Sequence, residues 1–173
     1  MTDGVVYYFS GTGNSYAVAR DIAEKIDAEL IPIAKVVPSE RVELPTKVMG
    51  IVFPDYHSSL PNIVGRFMDK IESFNDQYVF GVCTYGGSGP GLTMRYLGQL
   101  VESRGGRLAA GFAVGMPYNY IKPSIQLGSP IFKVQLRSAP VEKRNEKFSQ
   151  WKERRRPITD FIKNRGMGVI ETK

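Results

Sequence analysis

The 173-residue chain holds one cysteine, one histidine and one tryptophan. Cys83 on its own cannot close an intrachain disulfide or ligate a cluster, and no metal is expected. It lies inside the apolar run Tyr78 to Thr84, where a buried thiol acts as a small hydrophobe. No apolar run approaches the roughly 18 residues of a membrane span. The N-terminus carries no basic region followed by an apolar stretch and a cleavage site, so a soluble cytoplasmic protein is the expectation. No Lys occurs between Met1 and Lys25, which removes the Lys-Ser/Thr ending of a Walker A loop and with it a nucleoside triphosphate. Internal repeats and low-complexity tracts are absent too. The basic residues of Lys152 to Arg156 have no interleaved aromatics, and no nucleic-acid motif is present, so nucleic acid is not an expected partner.

Charge is present but unevenly spread. The chain carries a net charge of +6, yet residues 133–173 hold 12 Lys or Arg against 5 Asp or Glu, whereas the first 132 hold 11 against 12. A basic C-terminal segment suits a solvated helix face or an acidic protein partner.

The strongest local signal is Phe9-Ser10-Gly11-Thr12-Gly13-Asn14-Ser15. It follows the β-branched and aromatic run Val5 to Phe9, a strand. It precedes Ser15 to Ala28, where Ala17, Ala19, Ile22, Ala23 and Ile26 recur at helical spacing. A glycine-rich turn from a strand into a helix brings backbone N–H groups close to an anion. Ser10, Thr12, Asn14 and Ser15 add side-chain hydrogen bonds. A dinucleotide fingerprint needs a third Gly three residues beyond the second, and Tyr16 stands there. Hydroxyls without a cation suit a single phosphate monoester.

Alternation continues along the chain. Leu30 to Ile33 reads as an edge strand interrupted by Pro32, and Pro38 to Pro45 as an irregular crossover. Lys47 to Phe53 is a buried strand, Leu60 to Phe74 a helix with Pro61 in its first turn, and Tyr78 to Thr84 a fourth strand. Leu92 to Arg104 forms a helix capped at Gly105-Gly106, and Leu108 to Met116 a fifth strand rich in Gly and Ala. The expected fold is a single α/β domain over residues 1–173, a three-layer sandwich around a five-stranded parallel sheet in the order 2-1-3-4-5. Residues 117–140, with four prolines, read as an irregular insertion that either folds over a cofactor or makes a subunit contact, as in a homodimer. A basic helix over 141–165 follows, with Pro157 starting a new turn and Trp151, Ile158, Phe161 and Ile162 docking it on the sheet.

In such a sheet, the loops after the first, third and fourth strands converge beyond the carboxyl ends. Pro54-Asp55-Tyr56-His57-Ser58-Ser59 and Thr84-Tyr85-Gly86-Gly87-Ser88-Gly89-Pro90-Gly91 are those loops. They offer flat side chains and approachable backbone.

The phosphate loop resembles that of the flavodoxin-like family, Ser/Thr-x-Thr-Gly-Asn-Ser/Thr, at Ser10, Thr12, Gly13, Asn14 and Ser15. The other loops are similar to those of the flavodoxin domain in flavodoxin–ferredoxin fusion proteins, at Phe53-Pro54, Tyr56, and Met116, Pro117, Asn119 and Tyr120. The likeness extends over roughly the first 165 residues; the ferredoxin half has no counterpart, since Cys83 is the sole cysteine. The resemblance implies FMN, held by Ser10, Gly11, Thr12, Gly13, Asn14 and Ser15 at its phosphate. It further implies ring contacts from Pro54, Asp55, Tyr56, His57, Ser58, Thr84, Tyr85, Gly86, Gly87, Gly89 and Asn119, with Tyr85 stacked on the flavin. Asp55 and His57 replace the small or apolar residues expected in the second loop. A carboxylate near the flavin disfavours its anionic reduced form, and a protonated imidazole favours it. The implied function is electron transfer with a redox protein such as a ferredoxin or a reductase. The flavin supplies the chemistry, so no catalytic side chain is required. An FMN-dependent reductase of a quinone or similar acceptor, and a flavin-carrying subunit of a larger redox complex, are the alternatives.

Overall fold

Val5, Val6 and Tyr7 are buried on alternate faces of a first strand, and the strands at 48–54, 78–85 and 108–115 repeat that two-sided burial, as a sheet covered by helices on both faces requires. The structure, a computed structural model, describes residues 4–44, 46–87, 89–124, 133–138, 141–166 and 168–172. In chain order the elements are β1 (Gly4–Tyr8), α1 (Asn14–Ile26), β2 (Ala28–Pro32), α2 (Ile33–Val36), β3 (Val48–Pro54), α3 (Asn62–Met68), β4 (Tyr78–Tyr85), α4 (Thr93–Glu102), β5 (Leu108–Gly115), β6 (Asn119–Ser124), β7 (Lys133–Ser138), α5 (Val141–Lys163) and β8 (Gly168–Thr172). The sheet order is β2-β1-β3-β4-β5-β8, parallel throughout. Its first five strands stand in the expected order, with the Pro32-bearing β2 at the edge.

Two apolar layers sandwich the sheet. Val6, Val52, Phe80 and Phe112 meet Val18 and Ile22 of α1 and Trp151, Ile158 and Ile162 of α5. Tyr7, Ile51 and Phe53 meet Val64 and Phe67 of α3 and Leu97 of α4 on the other side. Trp151 also donates its indole N–H to Asp21 Oδ2 at 2.9 Å, so it anchors α5 on α1 at the far side of the sheet from α4.

Three features differ from the sequence expectation. The sheet has a sixth strand, β8, registered Ala110↔Gly168 through Val114↔Thr172, which covers the small-residue edge of β5. The chain turns back to form it where Gly166 N–H bonds to Phe161 O at 2.9 Å and Tyr78 Oη donates to Gly166 O at 2.5 Å. The stretch read as irregular instead contains an antiparallel ribbon, β6 with β7, paired Asn119↔Ser138 through Ser124↔Lys133. Residues 125–132 and 139–140 of that stretch lie outside the described residues. Helix α3 ends at Met68 rather than Phe74. Its apolar period runs on in Ile71 and Phe74, both 2 % exposed, but Phe74 N–H bonds to Arg104 O and the residue packs beneath Gly106. Pro157 lies inside the C-terminal helix, as expected, and α5 runs through it from Val141 to Lys163.

The expected C-terminal cap of α4 is present, with Gly105 in the left-handed region at φ 74°. Among the described residues no helix is long and apolar enough to cross a membrane.

Candidate functional site

Beyond the carboxyl ends of β1, β3, β4 and β5, four segments meet. The first is the turn from β1 into α1. Phe9 N–H continues the ladder to Val52 O at 2.9 Å, then the chain swings over Ser10 to Gly13. Gly13 has φ 97°, a conformation that strains any residue with a Cβ, and its N–H donates to Ser10 Oγ at 3.0 Å. Residues Gly11, Thr12 and Gly13 are exposed, and the first turn of the 13-residue α1 carries no acidic side chain to compete with an anion.

Two residues of this motif face inward with their side chains. Asn14 Nδ2 donates to Pro117 O at 2.8 Å, tying the turn to the segment after β5. Ser15 Oγ, 1 % exposed, shares a 2.8 Å hydrogen bond with Thr84 Oγ1 at the end of β4. What these positions offer a phosphate is therefore backbone N–H groups at the helix start, with the hydroxyls of Ser10 and Thr12 beside them.

The second segment, after β3, is a tight turn. Tyr56 N–H bonds to Ser59 O at 3.1 Å and Ser59 N–H to Tyr56 O at 3.2 Å, while His57 and Ser58 sit at φ 55° and 62°. Paired left-handed residues inside such a ring are the geometry that usually calls for Asn-Gly. Here Asp55 holds it: its Oδ2 accepts from Ser58 N–H at 3.2 Å and its Oδ1 from Thr93 Oγ1 at 2.5 Å. Its own N–H bonds to Thr84 O at 2.8 Å. The Asp55 carboxylate thus faces α4 and its own turn.

Tyr56 is 46 % exposed and meets Phe9 edge-on at 6.3 Å. A Cβ on Gly11 would lie 2.7 Å from its hydroxyl, so the ring as placed reaches the turn after β1 where position 11 has no side chain. Burial raises the Tyr56 phenol and keeps it protonated.

The third and fourth segments pack together. A Cβ on Gly86 would stand 2.8 Å from the Cα of Tyr118, and one on Gly91, at φ 53°, would stand 2.4 Å from Ser58 Oγ. Met116 N–H bonds to Tyr85 O at 2.8 Å. Tyr85 turns its hydroxyl toward Gly115, where a Cβ would find that oxygen and Lys147 Nζ each at 3.7 Å. Exposed rings at the mouth include Tyr56, His57 and Tyr118, the last 44 % exposed.

The structure therefore brings together the three predicted loops. Ser10 to Ser15, Pro54 to Ser58, Thr84, Tyr85, Gly86, Gly87 and Gly89 all lie in segments at this end of the sheet. Asn119 begins β6 just beyond them; its side chain and Ser88 lie outside the described residues. Pro117, Thr93, Gly91 and Lys147 were not singled out as site residues from the sequence. Thr93 could have been suspected as a hydroxyl at the start of a helix directly after the glycine-rich loop. The Cys83 thiol, buried one residue before Thr84, is pushed well above its ordinary value by burial and by the Asp55 charge, and it stays a thiol. At the opposite end of the sheet, where β1 and β3 begin, Gly4, Val48, Ile162 and Arg165 line a cavity of about 120 Å³.

No family model matches this chain, and no curated protein matches it in sequence. Solved structures do match. A protein from Bacteroides uniformis assigned as a flavoprotein aligns with a TM-score of 0.54 and 17 % identity, over 65 % of this chain and 90 % of that one. The flavodoxin, WrbA-like protein from Agrobacterium tumefaciens aligns with a TM-score of 0.50 and 20 % identity, over 62 % of this chain and 76 % of that one. The rubredoxin oxygen:oxidoreductase of Desulfovibrio gigas aligns with a TM-score of 0.57 and 12 % identity over 95 % of this chain, which spans only 37 % of that enzyme. With the strand order above, these likenesses show that the chain has the flavodoxin-like fold.

Proposed function

We propose that this chain binds one FMN at the carboxyl ends of β1, β3 and β4 and exchanges electrons with another redox protein. The observation that carries the reading is the convergence on one open shelf of an anion-ready helix start and two glycine-bearing loops. The turn Ser10 to Ser15 would hold the phosphate through the N-terminus of α1 and the hydroxyls of Ser10 and Thr12. Its chemistry suits one phosphate monoester: the fingerprint glycine of a pyrophosphate site is replaced by Tyr16, 40 % exposed. Tyr56 and Tyr118 are the aromatic walls available to the ring, and Gly86, Gly87 and Gly89 let backbone groups reach its edge. Tyr85, directed to Gly115, supports that wall from behind.

Bound FMN would supply the redox chemistry, taking up and releasing electrons. The chain's share is to bind it, to fix its orientation through the clamped turn at Asp55, and to leave one edge of the shelf open to a partner. Reconstitution tests this directly. Purified protein mixed with FMN and desalted should be yellow, and denaturation should release FMN identified by mass, one per chain. Colourless protein after reconstitution contradicts the reading.

A further inference from the structure

The β6–β7 ribbon begins directly beyond the candidate site. Asn119 begins it one residue after Tyr118, which packs on Gly86, and two after Pro117, whose carbonyl holds Asn14. In an antiparallel ladder, directly paired residues share a face and successive pairs alternate. The register therefore puts Tyr120 with Arg137, Lys122 with Gln135 and Ser124 with Lys133 on one face. It puts Ile121 with Leu136 and Pro123 with Val134 on the other. All three cations of the two strands fall on one face, and neither strand contains a carboxylate. The ribbon pairs with no strand of the main sheet, and a two-stranded ribbon alone is marginal in water.

Helix α5 starts three residues after β7 and adds to the same end of the molecule. Lys147 Nζ lies beside Gly115 and the Tyr85 hydroxyl, which fixes the first turns of α5, with Lys143 and Arg144, at the mouth. Among the described residues, none of Lys143, Arg144 and Lys147 pairs with a carboxylate. Farther along, Arg155 is committed to Asp21 and Arg156 to Asp160. In the two strands and residues 141–150, six cations meet two carboxylates, Glu142 and Glu146. The excess positive charge nearest the shelf is thus built on the ribbon and the start of α5.

We infer that this cationic surface is a docking site for an acidic protein that carries its own redox centre, which it holds against the shelf. The inference rests on the flavin reading for its purpose and on the charge pattern for its existence. Opposite charge accelerates encounter and fixes orientation, and salt removes the effect, the Debye length falling from about 10 Å at 0.1 M to about 3 Å at 1 M. The electron passed is balanced within the pair. The partner's centre is oxidised as FMN is reduced, or the reverse, and no bond between the proteins forms or breaks.

The test uses the FMN-loaded full chain, a strongly acidic bacterial two-cluster ferredoxin as probe and a basic c-type cytochrome as its opposite. Calorimetry at low ionic strength reads binding, and stopped-flow reads electron transfer. The ferredoxin should bind and its rate should fall as salt rises, while the cytochrome rate should rise or stay level. The triple variant Lys122→Glu, Lys133→Glu, Arg137→Glu should slow association at least tenfold at low salt. The triple Lys152→Glu, Arg156→Glu, Lys163→Glu, with the same change in net charge but farther down α5, should change it less than threefold. Should the first triple not fold, the neutral set Lys122→Gln, Lys133→Gln, Arg137→Gln takes its place, with about a threefold effect expected.

Equal effects of the two triples would reduce the surface to net charge and overturn the inference, as would rates indifferent to both. Tighter binding to duplex DNA or to phosphatidylserine vesicles than to the ferredoxin would overturn it as well. Protein that takes up no FMN yet binds the ferredoxin through the ribbon would sink the flavin reading and uphold the surface.

Discussion

Asp55 Oδ1 accepts a 2.5 Å hydrogen bond from Thr93 Oγ1, which joins the turn after β3 to the first residue of α4. Thr93 is fully buried, and the second carboxylate oxygen holds Ser58 N–H at 3.2 Å. One side chain thereby fixes a turn whose two central residues are left-handed without being glycine. Such strain costs of order 1–3 kcal/mol per residue and persists only where neighbours over-determine it.

Thr93→Val keeps the shape of the side chain and removes the hydroxyl. A hydrogen bond to a charged group is worth about 1.5–3 kcal/mol, so unfolding in urea should show a loss of about that size. FMN affinity should fall with it, because His57 and Ser58 are released from their turn. Unchanged stability and affinity would show that Asp55 does not hold the turn through Thr93.

Asp21 gives a pH signature. Burial works against its ionisation, but hydrogen bonds from Arg20, Trp151 and Arg155 outweigh it, so the carboxyl titrates below its ordinary value. A carboxylate lowered in the folded state contributes stability above its unfolded value of about 3.9, and that contribution disappears as pH falls through the folded value. Asp21→Asn should cost about 2 kcal/mol at neutral pH, since it breaks a largely buried charged network. The gap from the parent should close as pH is lowered below about 4. A gap independent of pH would contradict the network.

Two glycine substitutions separate conformation from space. Gly13→Ala places a Cβ at φ 97° and should destabilise by about 1–2 kcal/mol, with weaker FMN binding. Gly86→Ala meets the backbone of Tyr118 at 2.8 Å, so residues 117 and 118 must move and the Asn14–Pro117 hydrogen bond must stretch. Thermal melts and FMN titrations should show both losses; wild-type behaviour of Gly86→Ala would mean that the two segments do not pack as described.

Cys83 should be inert to thiol reagents in the native state and react at once in denaturant, since it is fully buried and its thiolate is disfavoured. Rapid native labelling would place the end of β4 nearer the surface than the structure has it.

Much of the fold was legible because it is written locally. β1, its turn and α1 are contiguous, and the glycines, hydroxyls and helical spacing of Val5 to Ile26 all point to the same geometry. Sequence reading failed where meaning lies in a distant partner. Gly168 to Thr172 is an unremarkable run until β5 offers it an edge, and the prolines of residues 117–140 obscured an alternation that only pairing with β7 reveals. At the site, Asp55 was named from its loop alone, and its hydrogen bond to Thr93, 38 residues on, was not legible there. Tyr85 was named from its loop in the same way, and the nearness of its hydroxyl to Gly115 and Lys147, distant in sequence, could not be read there.

The central claim is that the turn Ser10 to Ser15 holds the phosphate of FMN, and paired calorimetric titrations with FMN and with riboflavin test it most directly. The two ligands differ only in that phosphate. The account predicts one FMN per chain and riboflavin binding at least a hundredfold weaker, a difference of about 2.8 kcal/mol. It also predicts that Thr12→Val narrows the gap by weakening FMN alone, roughly tenfold to a hundredfold. Equal affinity for the two ligands, or no binding of either, would contradict it.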